Sequence, residues 1–125
     1  MSDSAPYFQN SQIICLEYQN SYLYAEVIDI VQARQICWGR PLMLVVYTEH
    51  LLSEPPLLYD LRAGADLLLP ITLFRAALDT ELIPLLAQLE AIAKHQPPDA
   101  PIIAHRKLKN FIQQVWQAHP DNFKL

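Results

Sequence analysis

Residues 12–31 read QIICLEYQNSYLYAEVIDIV, two runs rich in β-branched and aromatic residues on either side of a short polar interruption. Such residues favour strands, and the break between the runs is short enough for a hairpin. Asn20 and Ser21 suit a two-residue turn, because Asn tolerates the left-handed backbone that such turns need. That turn pairs Leu16 with Ala25, Ile14 with Val27 and Tyr18 with Leu23 on an apolar side. The other side carries Glu17 opposite Tyr24, Cys15 opposite Glu26 and Ile13 opposite Ile28. One side reads as core and the other as mixed, the pattern of an antiparallel pair with helices on a single face.

Working outward, VQARQ (31–35) is a turn or a single helical turn, and ICWGRPLMLVVY (36–47) is a third strand. Gly39 and Pro41 fall in its first half. Proline has no N–H for a ladder bond, so an edge or a bulge is expected there. The run LMLVVY suits a strand well inside a sheet. SEPP (53–56) is a loop, LLYDLR (57–62) a fourth strand, and Ala63-Gly64-Ala65 a turn. Residues 67–78, LLLPITLFRAAL, could finish a strand or form a short helix.

Beyond Asp79 and Thr80 the period changes. Leu82, Leu85, Leu86, Leu89, Ile92 and Ala93 recur at helical spacing, and Pro84 places the helix start close to residue 80. HQPPDAP (95–101) breaks that helix. Asp99 can cap the next one, with Pro101 in its first turn. Its apolar stripe is Leu108, Phe111, Ile112, Val115 and Trp116. Strands followed by helices predict an α+β fold: a four-stranded antiparallel sheet with two or three C-terminal helices packed on one face. Residues 1–11 read as a flexible tail, 12–119 as a single domain and 120–125 as a C-terminal tail.

At 125 residues, 52% hydrophobic and 18% charged, the chain is one domain, richer in apolar residues than most. Either the core is generous or apolar surface is reserved for a partner. The formal net charge of −4 argues against nucleic acid as the main ligand. No apolar run approaches the roughly 20 residues of a membrane helix. The amino terminus lacks the form of a secretion signal. A cytoplasmic protein without membrane insertion is therefore expected.

With only Gly39 and Gly64 in the chain, a glycine-rich phosphate loop is excluded. His50, His95, His105 and His119 are scattered without metal-ligand spacing. Cys15 and Cys37 read as buried thiols, and Glu17 with Glu26 as solvated charges. No catalytic residue, metal or cofactor is expected. The mixed sheet face is the remaining candidate. Glu17, Tyr22, Tyr24 and Glu26, joined by Trp38 and Arg40 from the next strand, combine aromatic area with polar ends, the chemistry of protein-binding hot spots. A secondary basic patch, His105, Arg106, Lys107 and Lys109, lies on the last helix.

Three functions follow. The first is a non-catalytic adaptor or assembly factor that binds a protein or peptide through the sheet face or edge, with a homodimer as the plainest variant. The second is a small-molecule sensor or enzyme with a pocket between sheet and helices. The third is a nucleic-acid accessory protein using the basic helix. The segments SYLYAEVIDIVQARQICWGRPLMLV (21–45) and YDLRAGADLLLPITLFRAALDTELIPLL (59–86) resemble small conserved cyanobacterial proteins. Some of those serve as accessory or assembly factors for photosynthetic complexes or carboxysome shells. The resemblance implies non-catalytic assembly work and assigns no individual residue.

Overall fold

A computed structural model of the chain describes residues 7–48 and 55–123. His50, Lys124 and the Ser53-Glu54 half of the expected loop lie outside the described residues. The strands are β1 (Ile13–Tyr18), β2 (Ser21–Val31), β3 (Ile36–Val46), β4 (Leu57–Asp60), β5 (Leu67–Pro70) and β6 (Arg75–Ala76), followed by helices α1 (Asp79–Ala93) and α2 (Ala100–Ala118). The fold is α+β, with every paired strand antiparallel to its neighbour.

The sheet has six strands rather than four, in the order β4-β3-β2-β1-β6, with β5 also on β3. The eleven residues of β3 explain the difference. Its outer edge is long enough for two four-residue partners end to end: β4 pairs with Met43–Val46 and β5 with Ile36–Gly39. The ambiguous segment 67–78 resolves into β5, a 3-10 turn at Ile71–Leu73, and β6 on the far edge against β1.

The β1–β2 turn falls at Gln19-Asn20, not Asn20-Ser21, so Glu17 faces Tyr22, Cys15 faces Tyr24 and Ile13 faces Glu26. Gln19 takes the left-handed backbone, with φ 53°. Asn20 is used for a tertiary contact instead: its carbonyl accepts the Tyr47 N–H at 2.9 Å and its side-chain amide donates to the Tyr47 carbonyl. The correction moves each partner by two residues, which preserves the side-chain faces. The irregularity expected near Pro41 is a bulge. Ala25 faces Pro41 while Tyr24 faces Met43, leaving Leu42 extra, and a second bulge leaves Ile28 extra on β2.

The helices do not share a face. One core cluster joins Ile14, Leu16, Leu23, Val27, Cys37 and Leu44 to Ala104, Leu108, Phe111 and Val115 of α2. The other joins Cys15, Tyr24, Met43 and Val45 to Leu82, Leu85 and Leu89 of α1. These sheet residues alternate along their strands, so α1 and α2 lie on opposite sides. The cause is visible in β3, where Met43, Leu44 and Val45 are all buried. A strand apolar at both parities needs cover on both faces.

Residues of both expected tails also join the core. Phe8 is buried in the α2-side cluster, the Ser11 N–H donates to the Val27 carbonyl at 2.7 Å, and Phe123 packs against the same cluster. Pro84 lies in the second turn of α1 rather than the first, because the helix starts at Asp79. Asp99 occupies the N-cap of α2 without a side-chain cap bond; its backbone carbonyl accepts the N–H groups of Ile102 and Ile103. Trp116, expected in the buried stripe, is half exposed. Among the described residues no helix is long and apolar enough to cross a membrane.

Candidate functional site

The predicted binding face is divided by α1, which crosses the middle of it. Tyr24 is only 2% exposed beneath the helix. Its hydroxyl donates to Glu81 Oε2 at 2.8 Å. Arg75, on β6, grips the same carboxylate with both terminal nitrogens, at 2.7 and 3.1 Å. The Leu78 N–H donates to Glu81 Oε1 at 2.7 Å, so the third residue of α1 caps the helix it belongs to. Glu17 stands 3.6 Å from Arg75 at the exposed edge of the group.

The electrostatics follow from these contacts. The Arg75 guanidinium holds the Glu81 carboxyl down to about 2, against partial burial and with help from the Leu78 amide and the Tyr24 hydroxyl. Burial, reinforced by the Glu81 hydrogen bond, pushes the Tyr24 phenol well above its ordinary value. Burial likewise pushes the Cys15 thiol up to about 12, although Arg75 opposes it. At neutral pH Glu81 is therefore charged while Tyr24 and Cys15 are neutral. The group works as a bracket, fixing the start of α1 to two strands. Tyr22, on the same face, packs edge-on against Tyr47 with ring centroids 5.4 Å apart.

Beyond α1 the face is open. Glu26 faces Arg40, Asp29 faces Trp38, and Val31 faces Ile36 across β2 and β3; Leu68 of β5 faces Trp38 from the other side. Trp38 is 43% and Leu68 67% exposed. The Ile71 N–H donates to the Gln35 carbonyl, so alternation puts Trp38 and Leu68 at a non-hydrogen-bonded position, where facing side chains are closest. Asp66 fixes the polar edge of the tryptophan, accepting Nε1–H at 2.9 Å, and lies 3.6 Å from Arg40 Nε. The ring is held while its apolar surface remains in solvent. Beside it a hollow of about 390 Å³ is lined by Val31, Arg34, Ile36 and Leu68.

The outer edge of β5 is poorly suited to strand addition. Leu67, Leu69 and Ile71 direct their backbone groups at β3, leaving Leu68 and Pro70 facing outward. Pro70 has no N–H, so Leu68 offers the sole outward donor of this strand.

On the α2 side a cavity of about 380 Å³ lies between the β4–β5 connection and the start of α2, with Leu61, Leu67, Ala104 and Leu108 among its walls and Asp60 and His105 as its titratable groups. Asp60 is already engaged by Arg62, whose Nε and Nη2 donate to its two oxygens at 3.0 and 2.9 Å. Arg62 also pairs with Glu90, tying β4 to α1. In the basic patch His105 lines the cavity, Lys107 sits 5.7 Å from the centre of the Tyr59 ring, and Arg106 and Lys109 are exposed.

Among the described residues no group of three His, Cys, Asp or Glu side chains is placed to hold a metal. Comparison of the chain with protein-family models, curated proteins and solved structures finds no match.

The structure thus brings Glu26, Trp38 and Arg40 together on an open surface, and separates them from Tyr24, Tyr22 and Glu17. Sequence reading missed Arg75 and Glu81, which lie far along the chain from the hairpin they bind. It also missed Val31, Arg34, Ile36, Asp66 and Leu68, which complete the open patch. The signal for the patch was the alternation of ICW and LLLP; their pairing was not visible until β5 was placed beside β3.

Proposed function

We propose that the protein is a non-catalytic protein-binding module whose interface is the half of the α1-side sheet face that α1 leaves uncovered. The observation that carries this reading is the exposure of Trp38 and Leu68 side by side on regular sheet. A large aromatic residue anchored at its polar edge and surrounded by charged residues has the composition of an interface centre and rim. The proline-blocked edge of β5 favours recognition by the face over strand addition.

Affinity capture from native lysate tests the reading, comparing wild type with Trp38→Ala and Leu68→Asp. Both residues are on the surface, so the variants keep the wild-type circular dichroism. Truncating a tryptophan at an interface centre removes about 2 kcal/mol or more, roughly a thirtyfold loss of affinity. Capture by both variants at the wild-type level would sink the assignment, whatever protein is recovered.

The α2-side cavity supports a second reading, a sensor for a small apolar molecule. Its volume of about 380 Å³ falls within the range of ligand pockets, and its walls are mostly apolar. A ligand bound there would raise the melting temperature of wild type and not of Ala65→Trp, which fills the mouth of the cavity.

A further inference from the structure

The open half-face carries both partners of its own contact. Trp38 and Leu68 project from it, and the hollow lined by Val31, Arg34, Ile36 and Leu68 lies immediately beside them. A projection and a recess on one patch are self-complementary under a twofold axis passing between them, because each copy then fills the recess of the other. The charges have the same arrangement. Among the described residues, Glu26, Asp29 and Asp66 stand with one cation, Arg40, on the rows of the patch nearer α1 and level with Trp38. Arg34 is the charged residue that lines the hollow at the far end, past the last residue of β2. A twofold axis lying in the interface plane, across the strands and between Trp38 and the hollow, lays the Arg34 end of one copy over the acidic end of the other.

We infer that the occupant of this face is a second copy of the same chain, docked sheet to sheet about a twofold axis, with Trp38 of each copy in the hollow of the other and Arg34 against the partner's acidic end. This rests on the reading of the open half-face as a protein interface and names its partner. A different protein would need the same apolar relief and the same charge gradient reversed; a second copy supplies both without further requirement.

Sedimentation equilibrium of the untagged full chain, from about 1 μM to about 1 mM so as to span weak and moderate affinities, tests the inference. Wild type should rise towards twice the 14.3 kDa chain mass, while Leu68→Asp stays at the single-chain mass. Arg34→Glu should weaken the dimer about tenfold or more, because it places an acid against acids. Added salt should then weaken the wild-type dimer and strengthen that of Arg34→Glu, since screening removes attraction in one and repulsion in the other. Circular dichroism of each variant shows that the fold is retained.

A wild-type chain that is monomeric throughout overturns the inference. If Leu68→Asp nevertheless loses a protein captured from lysate, the face remains an interface and only the self-pairing falls; if capture is also indifferent, both fall. A dimer unaffected by Leu68→Asp overturns the inference as well, because the contact then lies elsewhere.

Discussion

Replacing Glu81 by glutamine should remove a defined part of the acid sensitivity of this fold. The carboxyl is held near 2 in the folded chain, against an ordinary value of 4.5, mainly by its two hydrogen bonds from Arg75. Each tenfold change in proton affinity is worth about 1.4 kcal/mol, so the bracket contributes about 3 kcal/mol when Glu81 is ionised in both folded and unfolded chains. The sign follows from the lowered value. The contribution is complete above about pH 5, where the unfolded chain is also ionised, and is lost as pH falls towards 2. By pH 3 about 2 kcal/mol of it should be gone. Urea unfolding of wild type and Glu81→Gln at pH 7 and pH 3 measures this directly. The variant should be about 3 kcal/mol less stable at pH 7 and only about 1 kcal/mol less stable at pH 3. Other carboxylates, Asp60 among them, titrate in both proteins and cancel in the comparison. A gap that stays constant with pH would refute the argument, because the Glu81 contact would then owe nothing to its charge.

Three further outcomes are expected. Cys15 and Cys37 are buried, with thiols pushed up to about 12 and about 11 by that burial, so neither should react with an aromatic disulfide reagent at pH 8 until denaturant is added; rapid stoichiometric release in the native state would contradict their placement. Gly39→Ala should change stability by less than about 1 kcal/mol, since a β-carbon there meets Ala25 Cβ at 3.5 Å and the Glu26 carbonyl at 3.6 Å, ordinary contacts that leave the strand pairing intact. Leu89→Ala should cost about 2–5 kcal/mol in chemical unfolding, because the side chain is wholly buried between α1 and the sheet; a cost below about 1 kcal/mol would mean that α1 is not seated as described.

Much of this fold was legible in the sequence, and the failures have specific causes. The alternation of residues 12–27 gave the hairpin and the correct faces, even with the turn displaced, because the strand repeat is two and the displacement preserved parity; the bulge at Ile28 reverses the faces beyond it. The bulge was readable from Pro41, which cannot donate to a ladder. Placement of both helices on one face failed because the mixed side of the hairpin was taken as solvent-facing. The contrary sign was the unbroken run Leu42–Val46, which has apolar residues at both parities. Tyr24 went under α1 for that reason, and with it half of the expected binding surface. The partners of the buried half, Arg75 and Glu81, answer to no local pattern: they meet Tyr24 only after β6 has joined the sheet edge.

Pro70 has a consequence for how adhesive this molecule can safely be. An exposed sheet that can also add strands is a template for fibril growth, since each added strand presents a fresh edge to the next. Here the strand that carries the most exposed leucine among the described residues also carries the residue that interrupts such templating, and only its Leu68 amide is left to donate. A face-to-face contact about a twofold axis closes on itself after two copies, with no edge advanced. The chain can therefore keep an apolar surface in water with one route to polymerisation obstructed, and Pro70→Val would reopen that route.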